Sequence, residues 1–182
     1  MRTFIAIELS DTTKTTLAQI QSHLKYSGAD VKWVEKDNIH LTLKFLGEID
    51  EAKCEKVKLI LDDIAKSARP FEISLKDIGA FPKIEFPRVL WVGLDKGAKE
   101  STELAGMVDE RLSKIGFDKE IRPFAAHLTI GRVRSPKNKE ALKEKILSAL
   151  SFELSAKSQL ITAIILFHSK LTPIGSIYAK LH

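Results

Sequence analysis

The sequence predicts an α+β fold of two similar lobes, with two antiparallel-rich sheets flanking a central cleft and helices on the outer faces. Three observations carry this reading. Stretches with strand and helix periodicity alternate along the whole chain. A strand with a histidine and a threonine on one face occurs twice, as His40-Leu41-Thr42-Leu43 and His127-Leu128-Thr129-Ile130. The segments around the two copies also match in the same order, which marks an internal duplication of one domain over approximately residues 1–86 and 87–182.

Taken in order, Arg2-Thr3-Phe4-Ile5-Ala6-Ile7-Glu8 reads as a strand. Ser10 or Asp11 caps the helix that follows, whose apolar stripe is Leu17, Ile20 and Leu24, with Gly28 just beyond its end. Trp33-Val34 leads through polar Glu35 to Asn38 into the first histidine strand, which stops at Gly47. A second helix carries Val57, Ile60, Leu61 and Ile64 until Pro70 ends the stretch. Phe71 to Leu75 alternates apolar and polar residues, as a half-buried strand does. Gly79 to Pro87, with its pairs Phe81-Pro82 and Phe86-Pro87, reads as a loop.

Arg88 then opens the strand Val89-Leu90-Trp91-Val92-Gly93-Leu94. A third helix bears Leu104, Met107, Val108 and Leu112 and ends at Gly116; the second histidine strand follows Pro123. The fourth helix contains Leu142, Ile146, Leu147 and Leu150. Strands from Phe152, from Leu160 and around Ile177-Tyr178 complete the chain.

Three matches support duplication. Arg2-Thr3-Phe4-Ile5-Ala6-Ile7 corresponds to Arg88-Val89-Leu90-Trp91-Val92-Gly93 (88 − 2 = 86), and His40 to His127 (127 − 40 = 87). Phe71-Glu72-Ile73-Ser74-Leu75-Lys76 resembles Phe152-Glu153-Leu154-Ser155-Ala156-Lys157 (152 − 71 = 81). If the halves pack about a pseudo-twofold axis, His40 and His127 face each other across one cleft.

Composition narrows the partners. At 182 residues the chain is one domain or two small lobes with a shared core, and 44% hydrophobic residues is ordinary for a globular protein. Its 29 basic against 24 acidic residues give +5, which favours anionic partners without demonstrating nucleic-acid binding. Cys54 is the only cysteine, so an internal disulfide and a cysteine zinc site are both excluded. No signal peptide is evident, and the longest apolar stretch, Leu160 to Phe167, is too short for a bilayer. A cytoplasmic protein with no membrane attachment is expected.

Along a strand, side chains i and i+2 share a face about 6–7 Å apart, so His40 stands beside Thr42 and His127 beside Thr129. Imidazole titrates near pH 6.5, so of two facing histidines one can accept a proton from water while the other gives one to a leaving oxygen. In-line displacement at phosphorus needs such agents on opposite sides. The threonine hydroxyls can donate to non-bridging phosphate oxygens, or serve only as strand formers. His-x-Thr is not a zinc spacing and no carboxylates cluster on these strands, so neither metal nor cofactor is called for.

Arg132 is a further candidate for phosphate, although strict alternation puts it opposite His127 unless Gly131 marks a bulge. Lys44 shares the His40 face by the same alternation, and either adds positive potential to the cleft or emerges at the strand end. Phe45 and Phe124 read as core residues, with stacking on an unpaired base as the other reading. His23, His168 and His182 are read as structural or solvent-facing.

At these residues the chain resembles the two-histidine phosphoesterase superfamily, and within it the RNA 2′,3′-cyclic phosphodiesterases first called 2′-5′ RNA ligases. The likeness runs from Arg2-Thr3-Phe4-Ile5-Ala6-Ile7 through Trp33-Val34, Asn38-Ile39-His40-Leu41-Thr42-Leu43-Lys44-Phe45-Leu46-Gly47 and Arg88-Val89-Leu90-Trp91-Val92-Gly93. It continues through Arg122-Pro123-Phe124 and closes with Ser169-Lys170-Leu171, Gly175 and Tyr178. The resemblance implies a bilobal fold and a basic cleft. It also implies opening of RNA 2′,3′-cyclic phosphates to 2′-phosphates, and in some members reverse 2′-5′ joining of tRNA-half-like ends. It further implies that His40 is the proton donor and His127 the acceptor, with Thr42, Thr129 and Arg132 binding substrate.

The expected partner is an RNA with a 2′,3′-cyclic phosphate end, or a nucleoside cyclic phosphate, bound by a monomer. A binder of RNA ends without turnover is the alternative. The chain departs from the pattern at Ala125 and Ala126, where a basic residue and a proline are expected, and at Gly131, where alanine is more usual.

Overall fold

The computed structural model describes residues 1–154, 157–173 and 175–182. Among these, nine strands form two antiparallel sheets, and four α-helices pack with them. In sequence they are β1 (Arg2–Glu8), α1 (Asp11–Lys25), β2 (Val31–Trp33), β3 (His40–Glu48), α2 (Glu51–Ser67), β4 (Phe71–Lys83) and β5 (Phe86–Leu94). There follow α3 (Ala98–Ser113), β6 (His127–Val133), α4 (Lys139–Ala149), β7 (Ser158–Ile161), β8 (Ile165–Thr172) and β9 (Gly175–Lys180). The first sheet has the order β3-β1-β8-β9, the second β2-β6-β5-β4-β7. The fold is α+β, as the sequence predicts.

Local chemistry explains the helices. The Ser10 hydroxyl accepts the Thr13 N–H, and Leu17, Ile20 and Leu24 on the next turns are buried in the main core. Asp50 caps α2 in the same way through the Lys53 N–H at 2.7 Å. Gly97 precedes α3 at φ 79°, and a β-carbon there would come within 2.5 Å of the Glu72 carbonyl oxygen, so only glycine fits. The helices pair as α1 with α4 and α2 with α3, while α3 lies against β3 and α4 against β4.

The strands are shared between the halves of the sequence. β1 pairs with β3 on one side and with β8 on the other; β5 pairs with β6 and with β4. The first-half strand β4 thus completes the second sheet, and the second-half strand β8 completes the first. Ala6 lies between Thr42 and Ile165, as Trp91 lies between Thr129 and Gly79. The flanking residues are therefore offset by 129 − 42 = 87 and by 165 − 79 = 86.

That register replaces the expected match of Phe71 with Phe152. No strand runs from Phe152 to Leu154, and the remainder of that segment, Ser155 and Ala156, lies outside the described residues. The apolar stretch after Leu160 is two strands, β7 and β8, one in each sheet, because the chain crosses between the sheets there. Gly79 to Pro87 is no loop either. β4 and β5 continue to Lys83 and Phe86, with only Ile84 and Glu85 turning between them. Pro82 sits opposite Pro87, and β7 covers β4 only from Phe71 to Ser74. A missing N–H at the uncovered tip therefore breaks no ladder bond.

Candidate active site

His40 is the first residue of β3 and His127 the first of β6. The two strands belong to different sheets yet lie against each other. The His127 imidazole is held by the carbonyl two residues before it. His127 Nδ1 lies 2.6 Å from the Ala125 carbonyl oxygen, which can only accept, so Nδ1 carries the proton. A neutral His127 is thereby left with Nε2 as a free base. For His40 the Asn38 backbone, likewise two residues back, acts to raise the imidazole's pKa. Because the Ala125 contact is made by a main-chain atom, the small side chains before His127 do not impair it.

Both histidine strands carry a β-bulge at the same place. Thr42 pairs with Ala6 and Lys44 with Ile5, which leaves Leu43 as the extra residue; Thr129 pairs with Trp91 and Gly131 with Leu90, which leaves Ile130. An extra residue exchanges the faces of everything after it. Lys44 is therefore removed from the His40 face, against the simple alternation. It is 4% exposed and paired with Asp109 of α3 at 2.5 Å and the Asp118 carbonyl at 2.8 Å. Burial alone would push Asp109 up, but the hydrogen bonds from Lys44 and the Glu120 backbone, with the Lys44 charge, hold it below its ordinary range.

Phe45 takes the place Lys44 was expected to fill. It pairs with Phe4, shares the His40 and Thr42 face, and is 64% exposed rather than packed in the core. Phe124 is partly buried against the main core. In the second sheet the same device moves Arg132, which is exposed, onto the face of His127 and Thr129. The bulge lies at Ile130, one residue before the expected Gly131. Gln21 of α1 fixes it by donating to the Ile130 carbonyl at 2.8 Å. At Gly131 a β-carbon would sit 2.7 Å from Val31 and 3.2 Å from Trp33, so the more usual alanine does not fit beside β2.

The surroundings of the two histidines differ. His40 stacks on Phe4 with centroids 4.7 Å apart, and Tyr178 meets it edge-on at 5.3 Å. Phe4, Ala6 and Phe167 form a small apolar cluster of their own on this face. Burial drives the His40 imidazole from 6.5 to about 4; the bond to Asn38 opposes this and the Lys14 charge adds to it. His127 instead meets the edge of Phe81 at 5.1 Å, and the Phe81 ring lies 5.4 Å from that of Trp91. His23 binds the Lys145 carbonyl and the Ser148 hydroxyl, and His182 the Asp62 carboxylate, which are structural contacts.

Two cavities lie near the first histidine strand. A cavity of about 160 Å³ is lined by His40, Lys14, Asp37, Asn38, Tyr178 and Lys180, among others. A wider cleft of about 610 Å³ lies beyond Phe45, towards residues 116–122, and neither histidine lines it. Among the described residues no three His, Cys, Asp or Glu side chains come together, and no helix is long and apolar enough to cross a membrane.

The low His40 value has a consequence for stability. The neutral imidazole is the form the fold favours, so its contribution is complete above pH 6.5 and is lost as the pH falls from 6.5 towards 4. Over that window the loss is about 3 kcal/mol. Urea unfolding of wild type and His40→Gln at several pH values checks this: the variant loses less stability on acidification. Parallel curves defeat it.

Comparison with known proteins adds independent findings. A family model described as LigT like phosphoesterase matches residues 7–91 and again residues 92–178. The Methanocaldococcus jannaschii protein named RNA 2′,3′-cyclic phosphodiesterase is 42% identical over 181 residues, spanning 98% of this chain and 96% of its own. A protein of the same name from Methanothermobacter thermautotrophicus is 35% identical over 181 residues, spanning 100% and 96%. Among solved structures, one from Thermus thermophilus superposes with a TM-score of 0.79 at 23% identity, covering 100% of this chain and 96% of its own. Escherichia coli LigT complexed with 3′-AMP gives 0.75 at 24% identity, covering 100% and 95%; these two likenesses speak to the fold.

Proposed function

The chain belongs to the LigT like phosphoesterase family, and from that premise we propose that it hydrolyses RNA 2′,3′-cyclic phosphate ends to 2′-phosphomonoesters without a metal. His40 is the general acid and His127 the general base. The observation that carries this is the matched pair of imidazoles, each at the start of a bulged strand, on strands that touch, with His127 held by the carbonyl two residues back. Water loses its proton to His127 Nε2 and attacks phosphorus, the bond to the 3′-oxygen breaks, and His40 returns a proton to that oxygen. Thr42 and Thr129 donate to the non-bridging oxygens, and Arg132, on the His127 face, adds charge to the phosphate that forms.

The substrate reading follows from the same surfaces. The named relatives are RNA 2′,3′-cyclic phosphodiesterases, and the positive charge suits a polyanion. Phe45, exposed on the His40 face, offers a platform on which an unpaired base can stack. Ends like those of tRNA halves and free nucleoside cyclic phosphates both fit, and 2′-5′ joining is the same chemistry in reverse. We read the molecule as one two-lobed domain made by duplication, monomeric and cytoplasmic. The family model matching twice supports the duplication.

Product analysis tests the reading. A short RNA ending in a 2′,3′-cyclic phosphate, incubated with the protein in EDTA, yields the 2′-phosphomonoester. A 3′-phosphate product, or activity that vanishes in EDTA and returns with a divalent ion, overturns it. Tight binding without turnover assigns the chain to the non-catalytic binders.

A further inference from the structure

Lys14 is placed where a lysine is hard to accommodate. It is 8% exposed, in the first turns of α1, where the helix dipole disfavours a cation. A buried ammonium needs a counter-ion or a full set of acceptors. Lys14 has one acceptor among the described residues, the Asp37 carbonyl at a long 3.4 Å, and no carboxylate within salt-bridge range. The nearby Glu8 carboxylate is taken by Lys180 at 2.6 Å. Two of the three ammonium protons are thus uncommitted, and the side chain lines the 160 Å³ cavity that also holds His40.

We infer that Lys14 is an anion-binding group of the His40 cavity and takes a non-bridging oxygen of a substrate phosphate. This rests on the function proposed above and goes beyond it. The dipole and the spare donors both favour an anionic oxygen in the cavity that Lys14 lines. Two phosphates of an RNA end can supply it, the reacting cyclic phosphate or the internucleotide phosphate 5′ to it.

Binding also arms the acid. Unliganded, His40 is neutral near pH 7, whereas a general acid must hold its proton. The charged and titratable groups around it are Lys14 from α1, Glu8 from β1, Asp37 from the turn before β3, and Tyr178 and Lys180 from β9. An anion on Lys14 cancels one of the influences that oppose the imidazolium, so substrate binding raises the His40 titration midpoint.

The test uses Lys14→Met, which keeps the stem and removes the charge, and Lys14→Arg, which keeps the charge. Each is assayed with a nucleoside 2′,3′-cyclic phosphate and with a dinucleotide ending in one. The His40 imidazole is followed by NMR with and without adenosine 2′-phosphate, and again with a dinucleotide ending in a 2′-phosphate. We expect Lys14→Met to lower kcat/KM by about 10- to 100-fold, the worth of a charged hydrogen bond, and Lys14→Arg to restore most of it. Loss on both substrates assigns Lys14 to the reacting phosphate, and loss on the dinucleotide alone to the internucleotide one. In wild type the nucleotide raises the His40 titration midpoint; in Lys14→Met that rise shrinks.

Unchanged kcat/KM on both substrates together with unchanged nucleotide affinity overturns the inference, even if the variant is less stable. Should wild type turn over neither substrate, the proposed function fails, and the NMR titration still decides the role of Lys14.

Discussion

Replacing either His40 or His127 by alanine is expected to lower turnover of a cyclic phosphate by about 10²–10⁴-fold while the fold survives. The double variant is expected to fall far less than the product of the two losses. Once one proton transfer is missing, the other no longer acts in a concerted displacement. The structure adds a difference between the single variants. The His40 ring is part of a packed set with Phe4, Phe167 and Tyr178, whereas among the described residues the His127 ring meets one aromatic ring, that of Phe81. His40→Ala therefore melts at a lower temperature than His127→Ala, and folded protein must be shown before its rate is read. Near-normal turnover in either single variant removes that histidine from the mechanism.

The second large effect separates the two roles. A 2′-phosphate product requires the 3′-oxygen to leave, so the acid stands beside that oxygen. A substrate with a 3′-bridging sulfur leaves as a thiolate and needs no proton. On it, His40→Ala is expected to regain most of its activity, while His127→Ala stays impaired because water must still be deprotonated. The Nδ1 bond from His127 to the Ala125 carbonyl leaves Nε2 of the neutral ring unprotonated, as the role of base requires. Rescue of His127→Ala instead reverses the roles and leaves the reaction class standing.

Much of this was legible in the residues. The four helices, the histidine strands and the chemistry they suggest follow from periodicity and from two short motifs. The bulges did not, because one extra residue leaves no mark on composition. Their effect was to reverse the expectation for Lys44 and to place Arg132 and Phe45 on the histidine faces. The strand through Phe81-Pro82 was hidden because prolines read as loop, and only the uncovered edge makes them tolerable. The resemblance of Phe152 to Phe71 does not match strand with strand: β8 holds the place in the first sheet that β4 holds in the second, and that is long-range information. Lys14 gave no signal, since a lysine in a polar helix turn looks like solvent-facing charge until its burial is known.

The strand exchange between the sheets governs how this protein comes to exist at all. Thr3 must find His168, and Leu75 must find Leu94, before either sheet is whole. The second of these is a local hairpin; the first closes nearly the entire chain, at the corresponding loop-closure entropy. The β4–β5 hairpin is therefore expected to form early, and the first sheet only after β8 has been synthesised. Until then β1 exposes an apolar, unpaired edge, a hazard for self-association. Once closed, neither half can unfold by itself, because each holds a strand of the other's sheet. The meeting of β3 with β6 is thus a property of the finished chain, and one cooperative unfolding transition is expected instead of two weaker ones.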